Sequence, residues 1–325
     1  MKLTRRHVTT GLMLLPMAAG AQDEPFGKAV TLVVPFPPGG SVDAVTRQVQ
    51  HGLGERLKAA MIIENKGGAA GSIGAAAVAR AAPDGKTWLF VFDSHAVNPF
   101  LQKLPFDSEK DLAPVTLIGT APNVLATPAG RSFATLADIL KAAKEKPGTL
   151  SYATIGAGSI GHLTMVRLEK KFGVTFNHVP YKGGGPAISD AIAGHVDLII
   201  GSAALINPQL VSGKLRPLVQ FGARRATSAQ LVNTPTIGES GAADLESYAW
   251  WGVFAPAKTP AAMIERFVTD LRATLADPKV ATNLSQSQQI EIRAEGALAF
   301  QSFFAEQMRI WGGVVTANNI QAEVQ

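Results

Sequence analysis

The sequence predicts an α/β chain folded as two lobes, each built on a mostly parallel sheet, with a ligand cleft between them. Short apolar runs alternate with longer segments of helical spacing along most of the chain, the pattern of a parallel sheet with crossover helices. Two glycine-rich elbows, one near residue 40 and one near residue 158, each join a strand to a helix. At 325 residues the chain is long enough for two hydrophobic cores.

Composition narrows the function classes. Hydrophobic residues make up 46% and charged residues 17%, which describes a folded globular protein. The N-terminus has Lys2, Arg5 and Arg6, an apolar run from Gly11 to Ala19, and the small-residue site Ala19-Gly20-Ala21. This reads as an export signal over residues 1–21, cleaved near Ala21, with Sec and twin-arginine routes left open. Without it, 27 basic residues face 25 acidic ones, so the formal charge falls from +5 to +2. No Lys/Arg run or aromatic stripe marks a nucleic-acid surface, and no later segment is long and apolar enough to insert in a membrane. Cysteine is absent, so disulfides and thiolate chemistry are excluded.

In chain order, Val30 to Val34 is a strand, and Pro37, Pro38, Gly39 and Gly40 end it. A helix then carries Val42, Val45, Val49, Leu53 and Leu57 at helical spacing, with Ser41 or Asp43 as its cap. Met61 to Glu64 is a strand, Asn65 to Gly71 a glycine loop, Ser72 to Ala82 a helix, and Trp88 to Phe92 a strand followed by the polar Asp93-Ser94-His95. Val115 to Ile118 and Asn123 to Thr127 read as two strands separated by a crossover at Gly119 to Pro122. A second series follows, with strands at Leu150–Ala153, Phe176–Val179, Val196–Ile200 and Leu215–Phe221, and helices at Thr135–Lys146, His162–Phe172 and Pro186–Ala193. Tyr248 to Ala255 is an apolar strand, and helices from Thr259 to Leu275 and from Leu298 to Ala317 complete the chain. The implied boundaries are residues 22–120 with 246–325 for the first lobe, and 121–245 for the second.

Each elbow leaves backbone N–H groups at the positive end of a helix, which suits an anion such as a carboxylate. Phe36, Pro37, Pro38, Gly39, Gly40, Ser41 and Asp43 make the first. Thr154, Gly156, Ala157, Gly158, Ser159 and His162 make the second. Ser94 and Ser202 offer further hydroxyls, while Phe36 and Tyr181 offer apolar walls. For each hydroxyl, a cap or turn role is an equal reading.

Enzymatic readings fail on particular residues. Gly156-Ala157-Gly158-Ser159-Ile160-Gly161 fits G-x-G-x-x-G, yet about 20 positions on, where a ribose-binding acid belongs, the chain reads Val179-Pro180-Tyr181-Lys182. A serine nucleophile at Ser159 would need glycine at Ala157. The six histidines have no metal-ligand spacing, and His51, His178 and His195 read as surface or sheet-edge residues. Neither cofactor, metal nor catalysis is expected.

The ordered blocks VVPFPPGGSVDAVTR (33–47), ENKGGAAGSIGAAAVARAAPDGKT (64–87), SHAVNPFL (94–101), SYATIGAGSIGHL (151–163), VPYKGGGPAISDAIAGHVDL (179–198) and WWGVFAPAKTP (250–260) resemble the periplasmic substrate-binding proteins of tripartite tricarboxylate transporters, the Bug-type receptors. That resemblance implies a type II, Venus-flytrap periplasmic binding protein, expected as a monomer, which closes on a small organic carboxylate and delivers it to membrane permease subunits. It carries Ser94, Asn98 and Tyr181 into the site beside the elbows. One departure stands out: Ile199-Ile200-Gly201-Ser202 has no acid where family members often have one. A sensor presenting its closed form to a signalling ectodomain would share the same pocket, and an exported hydrolase is the remaining alternative.

Overall fold

Residues 25–321 are described by the computed structural model; the expected export signal at residues 1–21 lies outside the described residues. In chain order the elements are β1 (Ala29–Val34), α1 (Ser41–Leu57), β2 (Ala60–Asn65), α2 (Ser72–Ala79), β3 (Thr87–Phe92), α3 (Asn98–Leu101) and β4 (Leu112–Pro128). Then come α4 (Leu136–Glu145), β5 (Ser151–Thr154), α5 (Ile160–Phe172), β6 (Asn177–Pro180), α6 (Gly184–Ala193), β7 (Leu198–Ser202), α7 (Ala203–Val211) and β8 (Leu215–Gln220). The chain closes with β9 (Tyr248–Pro256), α8 (Ala261–Leu275), α9 (Pro278–Ser287), β10 (Glu291–Glu295) and α10 (Ala297–Ala317).

β1 is apolar and buried from Leu32 to Val34 because both faces of its sheet are covered there. Leu32 and Val34 pack with Val42, Val45, Val49 and Leu53 of α1, whereas Val33 points the other way, toward Ala75 and Val78 of α2 and Phe300 and Phe304 of α10. Each such fully buried side chain contributes about 1.5–3 kcal/mol. The parallel series expected from the sequence is present in both lobes: β2, β1 and β3 in the first, β7, β5 and β6 in the second. The returning strands make the sheets mixed, since β9 runs antiparallel to β3 and β4, and β7 and β8 run antiparallel to β4.

β4 corrects the expectation of two strands. It is one 17-residue strand through Gly119 to Pro122, pairing with β9 and β10 in one lobe and with β7 and β8 in the other. The local breaker signals are overridden by the partner: Gly119, Thr120, Ala121 and Pro122 face Trp251, Trp250, Ala249 and Tyr248 of β9. Register shifts between Pro114 and Thr116 and between Leu117 and Gly119 absorb the irregularity.

The second crossing runs beside the first. The Asn123 N–H donates to the Ser247 carbonyl at 3.1 Å, and the Ser247 N–H donates to Phe221 at 2.9 Å. The Asn123 amide donates to Ser247 Oγ at 2.7 Å, and Thr164 Oγ1 lies 2.7 Å from the same oxygen. All three side chains are buried, so this polar knot fixes where the lobes meet. Next to it Ile160 and Leu163 of α5 pack against Val97, Trp311 and Val315, and the Arg167 guanidinium lies 5.5 Å from the Trp311 ring centre. The elbow-bearing helix of the second lobe therefore rests on the C-terminal helix of the first.

Candidate functional site

In the first elbow Gly40 is the N-cap of α1 and no side chain caps it, which corrects the expectation of a Ser41 or Asp43 cap. Both side chains are drawn elsewhere. Ser41 Oγ donates to Gln288 Oε1 at 2.6 Å, just past the end of α9. Asp43 is buried and accepts from the Gly39 N–H at 2.9 Å, from Arg47 Nε at 2.8 Å and Nη2 at 3.1 Å, and from the Asn65 amide at 2.9 Å. Burial pushes its carboxyl up, but the Arg47, Gly39 and Asn65 hydrogen bonds outweigh burial and hold it at about 2. Asp43 thus appears as a charged staple holding the elbow to its neighbours. The N–H groups of Ser41, Val42 and Asp43 have no acceptor among the described residues. Pro37, Pro38 and Gly39 are exposed, and Pro37 O accepts the Gly40 N–H at 3.4 Å.

The glycine loop after β2 is clamped on two sides. Asn65 holds one end, donating to Phe36 O at 3.1 Å as well as to Asp43. At the other end Ala69 and Ala70 take left-handed φ of 46° and 51°, a cost for residues with a Cβ. Three donors fix that conformation: Ser94 Oγ at 3.2 Å and the Asn98 amide at 2.9 Å bond Ala70 O, and the Gln102 amide bonds Ala69 O at 3.1 Å. Ser94 and Asn98 therefore stand beside the elbow with these donors committed to the loop. Phe36 is half-buried, and its ring comes within 3.1 Å of the place a Cβ would take on Gly71, so this wall needs glycine there.

The second elbow is organised by its own turns. Ser159 is the N-cap of α5, accepting from the His162 N–H at 3.4 Å and donating to Gly156 O at 2.7 Å. Thr154 is buried, and its hydroxyl donates to Gly156 O at 3.2 Å and lies 2.7 Å from His178 Nε2. The Gly158 N–H donates to His162 Nδ1 at 3.0 Å. The N–H groups of Ala157, Ile160 and Gly161 have no acceptor among the described residues. Tyr181 follows from β6, its N–H on Thr154 O at 3.0 Å and its hydroxyl on Asp190 at 2.8 Å; burial and then Asp190 push that phenol up to about 12. Ser202 caps α7 by accepting from the Leu205 N–H at 3.3 Å, one strand away, and no hydrogen bond joins it to either elbow among the described residues.

One contact brings the elbows together. Leu101, at the end of α3, sits so close to Gly158 that a Cβ there would lie 2.4 Å from its Cδ1. The path from elbow to elbow is thus Gly158, Leu101, Asn98, Ala70, Gly71 and Phe36. A cleft of about 1330 Å³ opens between the lobes, lined by residues including Asn207, Arg224, Tyr248, Gln289 and Glu291. Arg224 pairs with Glu291 across it, and Asn207 Oδ1 is buried there without a partner.

Asn65, Gln102 and the exposed apolar Ile155 stand at the elbows and their supporting loop, and sequence reasoning did not single them out. Only Ile155 carried a readable signal, an apolar side chain inside an otherwise small and polar elbow. His51 and His195 are exposed as expected. His178 lies on the edge strand β6 as expected, yet it is stacked on His162. Among the described residues no group of three His, Asp or Glu side chains is placed to hold a metal, and no helix is long and apolar enough to cross a membrane.

Comparison with known proteins places this geometry. Residues 45–320 match the tripartite tricarboxylate transporter family receptor pattern. A protein of the tcbD–tcbE intergenic region of Pseudomonas sp. strain P51 is 36% identical over 288 residues, covering 87% of this chain and 85% of that one. Among solved structures, the periplasmic binding protein BugD is 29% identical with a TM-score of 0.77, covering 91% of this chain and 99% of its own. A Rhodopseudomonas palustris protein solved with adipate is 29% identical with a TM-score of 0.80, covering 91% of this chain and 98% of its own.

Proposed function

The chain belongs to the tripartite tricarboxylate transporter receptor family, a family of periplasmic solute-binding proteins, and from that premise we propose that it captures a small organic carboxylate between its lobes, delivers it to the permease subunits of such a transporter, and performs no chemistry on it. Export by the signal at residues 1–21 accords with that role, with residues 22–120 and 246–325 as one lobe and 121–245 as the other.

The observation that carries this reading is the pair of elbows whose side chains are spent on the protein while their first-turn amides are not. Ser41, Val42 and Asp43 in the first turn of α1, and Ala157 in the turn before α5 with Ile160 and Gly161 in its first turn, have N–H groups with no acceptor among the described residues. A carboxylate satisfies such donors and gains from both helix dipoles. Arg47 is not available to it, because it is held by Asp43. Phe36, Ile155 and Tyr181 supply apolar surface for the body of the acid, and Gly39, Gly40 and Gly156 keep the backbone approachable. Ser94, Asn98, Thr154 and Ser159 act chiefly by holding these turns in shape, and Ser202 by capping α7. Closure follows because an acid touching both elbows favours the state in which they face each other.

Thermal unfolding of the mature protein, stripped of carried-over ligand by refolding, tests this. One class among mono-, di- and tricarboxylates, aromatic acids and amino acids should stabilise it by about 2.7 kcal/mol at roughly 100 times the dissociation constant. An unmoved transition with every acid would refute carboxylate capture.

A further inference from the structure

The second elbow gives one of its amides to a histidine. The Gly158 N–H donates to His162 Nδ1 at 3.0 Å, so that nitrogen is unprotonated and the proton of the neutral ring resides on Nε2. His162 stacks on His178 with ring centres 3.9 Å apart and planes 11° from parallel, and Tyr152 stacks on His178 at 4.9 Å and 21°. Thr154 Oγ1 lies 2.7 Å from His178 Nε2 and 3.2 Å from Gly156 O. The stack therefore grips the elbow at two points, Gly158 through His162 and Gly156 through His178 and Thr154.

Two face-to-face imidazoles cannot both carry charge at this separation, and burial disfavours charge on either. Burial lowers His162 to about 4; burial and then the neighbouring His162 lower His178 to about 4. No acid offsets this among the groups packed nearby, since Glu169 takes the Phe176 N–H and Asp190 takes Tyr181 and faces His195. The bond also shapes the backbone. Gly158 holds a left-handed φ of 77°, and in that conformation its bare Cα receives Leu101 from the other lobe.

We propose that His162 is a positioning residue of the ligand site: as a neutral Nε2–H imidazole it captures the Gly158 N–H, holds that glycine against Leu101, and leaves Ala157, Ile160 and Gly161 as the amides that meet the carboxylate. The role rests on the carboxylate-receptor reading and deepens it. Recognition in the second lobe then depends on a histidine that burial keeps neutral down to about pH 5, so a receptor for an anion keeps its grip as neutral pH gives way to mild acidity.

Two substitutions separate this role from simple packing. His162→Asn places an amide oxygen where Nδ1 stood, keeping the acceptor and losing the stack. His162→Phe keeps the stack and strands the Gly158 N–H. In calorimetric titration at pH 7 with adipate, and with whichever acid of the panel binds best, His162→Asn should stay within about threefold of wild type and His162→Phe should weaken binding at least about tenfold. Equal weakening by both, or wild-type affinity in His162→Phe, overturns the proposal. Nitrogen-15 NMR of the histidine rings in the ligand-free protein decides it independently. His162 should show an unprotonated Nδ1 at pH 7 and no titration above about pH 5, whereas an Nδ1–H tautomer or an imidazolium at pH 7 overturns the assignment. If wild type binds no acid, the receptor reading fails while the NMR result still judges His162.

Discussion

Asp43→Ala is expected to lower stability by about 3 kcal/mol and to abolish tight ligand binding, the larger effect falling on binding. The substitution strands three donors together: the Gly39 N–H, the Asn65 amide and the Arg47 guanidinium. Gly39 and Asn65 then release the elbow and the glycine loop that Asn65 ties to Phe36. Asp43→Asn, which keeps one acceptor oxygen and the shape, should fall between the two. The pH dependence has a definite sign. Because the folded state holds the carboxyl at about 2, below its ordinary value of 3.8, its contribution is full above about pH 4 and is lost as pH falls through 2. Thermal melts at pH 7 and pH 3 check this: the gap between wild type and Asp43→Ala should narrow at pH 3. A variant that melts and binds like wild type would remove Asp43 from the account.

Gly158→Ala carries the other large effect. An alanine at φ 77° pays about 1–2 kcal/mol for the left-handed conformation, and its methyl carbon would stand 2.4 Å from Leu101 Cδ1. Leu101 has to move, and with it the contact through which the second elbow meets the first lobe. Binding should weaken by at least about tenfold, with a stability loss of about 2 kcal/mol. Adding Leu101→Ala removes the clash and leaves the dihedral cost, so the double variant should recover part of the stability. Full recovery would mean the backbone conformation is unimportant, and no loss in the single variant would mean the elbow is not held as described.

These two residues also mark what the sequence could and could not disclose. The glycine elbows were legible because their signals are local: apolar strand, breaker residues, then helical spacing from Val42 or from Ile160. What holds them is not local. Asp43 reaches Asn65, Asn98 reaches back 28 positions to Ala70, and Leu101 meets Gly158, and no periodicity announces any of these pairs. The same limit explains β4, where Gly119 and Pro122 signal a break and the β9 partner supplies continuity. α9 and β10 went unread because their faces are largely polar, although Asp277-Pro278 is a readable helix start: Asp277 accepts from the Lys279 N–H at 2.9 Å. The hydroxyls resolved toward the cap and turn roles that were weighed equally with ligand contact, since Ser159 and Ser202 are N-caps and Ser41 and Ser94 bond other parts of the protein.

A crystal structure of the mature protein with the acid that most raises its melting temperature tests the central claim most directly. The account predicts a carboxylate oxygen within hydrogen-bonding distance, about 2.7–3.2 Å or through one water, of an N–H among Ser41 to Asp43, and another contact of the same molecule with Ala157, Ile160 or Gly161. An acid held by one lobe alone, or contacting Asn207 and Arg224 and neither elbow, would contradict it.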